Sequence, residues 1–60
     1  MANVVIISAD EVLVPTSVQN QIREAFAFSK NKEVEVRKGD SIGEFDIYQN
    51  GQYKDTITDL

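Results

Sequence analysis

The chain contains no cysteine and no histidine, and only one proline and three glycines in 60 residues. Each shortage removes a class of function. Without cysteine there is no disulfide framework, no thiol nucleophile and no thiolate metal site. Without histidine the commonest general base and zinc ligand are gone. Ser8, Ser17, Ser29 and Ser41 therefore have no imidazole to activate them. Gly39, Gly43 and Gly51 all fall at turns or strand ends and lack the spacing of a phosphate-cradling loop. Long hydrophobic runs are missing too. The apolar run at residues 4–7 is too short to span a bilayer, has no basic flank, and is soon followed by Asp10 and Glu11. The expectation is a non-enzymatic, cytoplasmic domain without a signal peptide, a membrane span, a cofactor or a metal.

What is present favours a folded protein. Hydrophobic residues make up 42% of the chain and five residues are aromatic, which argues against disorder. Residues 1–60 are read as one domain. A chain this short buries only about 60% of its unfolded surface, so its stability is marginal. With disulfides excluded and metals poorly served, a partner or a second copy is the remaining way to add buried area. Charge is uneven along the sequence. Residues 1–22 carry −2, residues 23–38 carry +2 and residues 39–60 carry −4, for a net charge of −4.

The last third reads as a β-hairpin around Asn50-Gly51, since both residues tolerate positive φ. A two-residue loop in a regular ladder would place Ile47 opposite Lys54 and turn Ile57 away from Phe45. A three-residue loop of Gln49, Asn50 and Gly51, with a bulge at the glycine, puts Phe45, Ile47, Tyr53 and Ile57 on one face. Because a one-residue slip moves every side chain to the other face, the register that gathers the apolar residues is preferred. It sets Asp46 opposite Lys54, Tyr48 opposite Gln52 and Glu44 opposite Thr56. The Asp46–Lys54 pair also gives the carboxylates of Glu44, Asp46 and Asp55 a simpler role than metal binding.

Residues 3–8 form a β-branched run typical of a strand buried on both faces or central in a sheet. Residues 12–14 suggest a short return strand before Pro15. Thr16 and Gln19 have capping-box spacing, and Val18, Ile22, Ala25 and Phe26 recur at helical spacing, which predicts a helix over 17–29. Asn31 is a candidate left-handed terminator. Glu33 to Lys38 alternates strictly, so Val34 and Val36 point inward. The predicted fold is α+β: a two-layer sandwich with a four- or five-stranded, mostly antiparallel sheet and one helix packed on one face. Its predicted core is Val5, Ile7, Leu13, Val18, Ile22, Phe26, Val34, Val36, Phe45, Ile47, Tyr53 and Ile57.

Function is read from what the core leaves over. Tyr48 falls on the outer hairpin face and Phe28 at the flank of the helical stripe, and aromatic residues are enriched in interface cores. Both can also be read as packing along the strand and at the core rim. The preferred reading is a small acidic interaction module that binds and modulates, by inhibition or as an adaptor, a larger protein partner of basic or nucleic-acid-binding character. Its contact residues would be Tyr48, Gln52, Glu44, Asp46 and Phe28. The alternatives are a single-stranded nucleic-acid binder using Arg23, Lys30, Lys32, Arg37 and Lys38, or a structural subunit of an assembly. Three interspersed glutamates and a pI near 4.5 weigh against nucleic acid. Exposed edges, expected at residues 12–14 and at the last strand, favour a homodimer over a monomer.

Overall fold

The computed structural model describes residues 3–59. Among these residues the chain forms a short strand β1 (Val5–Ser8), a 3-10 turn (Ala9–Glu11), a helix α1 (Thr16–Ala25) and three further strands, β2 (Glu33–Lys38), β3 (Glu44–Gln49) and β4 (Gln52–Thr58). The architecture is α+β, with a four-stranded mixed sheet in the order β1-β2-β3-β4. β1 lies parallel to β2 across the helical connection, while β2, β3 and β4 form an antiparallel meander. Val18 and Ile22 from α1 and Val34, Val36, Phe45, Ile47 and Ile57 from the sheet make one buried cluster. No helix among the described residues is long and apolar enough to cross a membrane.

The hairpin register differs from the expected one, for an identifiable reason. Asn50 (φ 52°) and Gly51 (φ 76°) both adopt left-handed geometry, and Gln49 pairs with Gln52, so the loop has two residues. The mismatch that a regular ladder would create is absorbed within β4. Tyr48 pairs with Tyr53, but Ile47 pairs with Asp55, which leaves Lys54 as a bulge. Beyond the bulge Phe45 meets Ile57, Asp46 meets Thr56 and Glu44 meets Thr58. The Asp46–Lys54 pairing is therefore absent. Ile57 reaches the core as expected, whereas Tyr53, on the loop side of the bulge, points the other way and is 57% exposed.

β1 corrects a second expectation. It is an edge strand rather than a central one. Val4 and Ile6 pack against the core, while Val5 and Ile7 are about half exposed on the opposite face. Edge placement allows one face of an apolar strand to remain open, which its continuous β-branched run does not reveal. Residues 12–14 form no strand. Val12 and Val14 pack at the core margin and Leu13 projects into solvent.

The helix begins one residue earlier than expected and ends sooner. Pro15 stands at the N-cap position and Thr16 makes no capping bond. Gln19 instead donates from Nε2 to the Val14 carbonyl at 2.9 Å. Ser17 Oγ donates to Asp59 Oδ1 at 2.7 Å, tying the first turn to the chain end of β4. After Ala25 the backbone leaves α geometry at Phe26 (φ −109°, ψ 14°). Lys32 Nζ then donates to the Ala27 and Ser29 carbonyls, bracing the turn that follows the helix. Asn31 does not take the left-handed conformation; its side chain accepts from the Glu33 N–H at 3.0 Å. Gln49, a buried polar side chain, donates to the Asn31 and Glu33 carbonyls at 2.7 and 3.2 Å, joining this connection to the hairpin.

Candidate interaction surface on the open sheet face

Alternation along the strands decides which side chains are left facing away from the buried cluster. Because Val34, Val36, Phe45 and Ile47 point inward, Glu33, Glu35 and Arg37 of β2 and Glu44, Asp46 and Tyr48 of β3 point outward. Pairing brings Ile7, Glu35, Tyr48 and Tyr53 into one row across all four strands, followed by a second row of Arg37, Asp46 and Thr56. The rings of Tyr48 and Tyr53 meet edge to face, with centroids 5.8 Å apart and planes at 75°. Such a pair contributes about 0.5–1.5 kcal/mol beyond its buried area.

Polar contacts hold this aromatic pair on both sides. The Arg37 guanidinium lies 4.0 Å from the Tyr48 ring centroid, and its Nε donates to Glu35 Oε2. The hydrogen bond from Arg37 to Glu35, together with the negative charge of Glu35, holds the guanidinium above its ordinary pKa. On the far side Thr56 Oγ1 donates to Asp46 Oδ1 at 3.0 Å. A hydroxyl has one proton to give, so the 2.7 Å contact between Tyr53 and Thr56 must run from the tyrosine O–H to Thr56 Oγ1. Glu35, Arg37, Tyr48, Tyr53, Thr56 and Asp46 thus form one connected patch.

The residues proposed from sequence fall in different places. Tyr48, Asp46 and Glu44 share this open face. Gln52 pairs with Gln49 at the hairpin end, on the core side of the ladder, and Phe28 stands fully exposed in the turn after α1. Val5, Ile7, Tyr53 and Arg37 were not among the expected contact residues and complete the surface. The alternation of β1 and β2 and the two-residue hairpin loop determine their placement. The five cations of the nucleic-acid reading do not gather into one groove. Arg37 sits among the open-face carboxylates, Lys38 lines a cleft of about 320 Å³ with Leu13, Ile42 and Phe45 on the other side of β2, and Lys32 is engaged with backbone carbonyls. Arg23 reaches Asn20 and Gln19 on the helix, and Lys30 is exposed in the following connection.

Comparison with protein families, curated proteins and solved structures finds no match. Glu33, Glu35, Glu44 and Asp46 set four carboxylates against the single guanidinium of Arg37 on this face. Half-exposed Ile7 ends the tyrosine row at the sheet edge beyond Glu35, and half-exposed Val5 stands next to it opposite Glu33. The arrangement offers apolar contact and acceptors at fixed positions.

Proposed function

We propose that this chain is a small, non-enzymatic interaction module that uses its open sheet face to cover a basic surface on a larger protein and so inhibit it. In this reading the helix is one layer of a two-layer sandwich and the sheet is the other, acting in the cytoplasm with its second face free to dock. The Tyr48–Tyr53 pair, held between Arg37 and Thr56 on the same open face as Val5 and Ile7, is the observation that carries the reading. A rigid aromatic pair supplies interface area at low entropic cost, and the surrounding carboxylates select a positively charged partner and speed its approach. The nucleic-acid reading has less support, because the cations it needs are dispersed over separate surfaces.

The immobilised chain is expected to retain one basic protein from a lysate of its source cells at stoichiometric level. Tyr53→Lys should weaken that complex about 30-fold, equivalent to the ~2 kcal/mol of a tyrosine hot spot. Arg23→Glu, on the helix, should leave it unchanged. Capture that ignores Tyr53→Lys, or no stoichiometric protein at all, refutes the proposal.

A further inference from the structure

We propose that β1 is a self-pairing edge, through which two copies of this chain join about a two-fold axis into one continuous eight-stranded sheet. The two edges of the sheet are unequal. β4 carries a bulge and two adjacent charges, Lys54 and Asp55, features that discourage strand addition. β1 is Val-Ile-Ile-Ser, with no charge, no proline and no bulge. The Val5 N–H donates to the Lys32 carbonyl at 2.7 Å, so Val5 and Ile7 direct their backbone groups towards β2. By alternation, Val4, Ile6 and Ser8 direct theirs to the free edge.

That geometry fixes the register. An antiparallel partner must place residues with outward backbone groups opposite one another. Among two-fold pairings, the one centred on Ile6 does this along the whole strand, setting Ile6 against Ile6 and Val4 against Ser8 of the second copy. Val5 and Ile7 of opposite copies then face each other at the closely spaced, non-hydrogen-bonded positions, where side-chain contact is greatest. These are the two β1 side chains left half exposed in the single chain. No charge opposes a like charge, and Asp10 and Glu11 of the two copies lie at opposite ends of the pair. The same operation on β4 would have to accommodate two bulges and two Lys54-Asp55 segments. A second copy therefore fits β1 by both hydrogen bonding and side-chain pattern.

A pair of strands this short buries less than about 1,200 Å², so the dimer should dissociate within the range of roughly 10 µM to 1 mM. Sedimentation equilibrium over that range is expected to show the mass rising from 6.7 kDa towards twice that value. The double variant Val5→Lys and Ile7→Lys opposes lysines at both cross-strand positions and should raise the dissociation constant about tenfold or more. Val5→Lys with Ile7→Glu opposes lysine to glutamate at the same two positions and should restore the dimer. Circular dichroism confirms that both variants remain folded, as substitution at half-exposed sites allows. A constant mass near 6.7 kDa up to 1 mM overturns the proposal, as does equal loss of dimer in the two double variants. Tyr53→Lys, at the other edge, should leave the dimer intact, which separates this result from failure of the open-face docking proposal.

Discussion

Alanine at Asn50 and at Gly51 tests the hairpin loop directly. Both residues hold left-handed backbone geometry, with φ of 52° and 76°. A Cβ added at Gly51 meets nothing within 4 Å, so the substitution introduces no clash and its whole cost is conformational. Holding an L-residue in that region costs about 1–2 kcal/mol. Asparagine already bears a Cβ but tolerates the region, so Asn50→Ala should cost about 0.5–1 kcal/mol. In a domain of this size 1 kcal/mol moves Tm by ~4–8 °C, which places both variants within reach of thermal unfolding followed by circular dichroism. Total synthesis permits a sharper variant, D-alanine at position 51, whose preferred φ is positive. It should melt at or above the parent temperature, because it keeps the native geometry and narrows the unfolded ensemble. Deleting Lys54 removes the bulge and leaves every other β3–β4 pair in place, so the shortened chain should still fold. With a three-residue loop the same deletion would turn Ile57 outward and unfold the domain. Sensitivity at Gly51 alone, equal damage from D- and L-alanine, or unfolding on loss of Lys54 would each refute the two-residue loop with a bulge.

Two further outcomes follow from buried or strained positions. Gln49→Ala removes the donor to the Asn31 and Glu33 carbonyls and should cost about 1–2 kcal/mol, read as a drop in thermal midpoint without change of fold. Glu11→Gly relieves an L-residue at φ 57° and should stabilise by about 0.5–1 kcal/mol once the extra flexibility of glycine is offset, a rise measurable in urea unfolding.

Legibility of the fold in the sequence depended on how local each signal was. The alternation of Glu33 to Lys38 identified β2 and both its inward valines, and Val18 and Ile22 marked the buried stripe of α1. These patterns depend on neighbours within one element. Asn50-Gly51 announced a turn, but the choice between a longer loop and a bulge at Lys54 depended on where the strand would accommodate its extra residue. Both solutions put Ile57 on the core side, and they differ in the fate of Tyr53. The apolar run of β1 likewise looked the same whether central or at an edge, since strand order is decided by the whole sheet. Tyr48, Asp46 and Glu44 were legible as a shared face because they alternate within one strand. Ile7, Arg37 and Tyr53 joined them only through pairing between strands.

Strand order follows chain order in this sheet, with consequences for how the molecule assembles and how it opens. The β2-β3-β4 meander closes only short loops, so it can form early and quickly. β1 must wait until α1 brings the chain back across the sheet, and it is held by one neighbouring strand. The last element to arrive is therefore also the easiest to release. Amide protons of β1 should exchange through a local opening that leaves the meander intact, while those of β3, flanked on both sides, should exchange only when the entire domain unfolds.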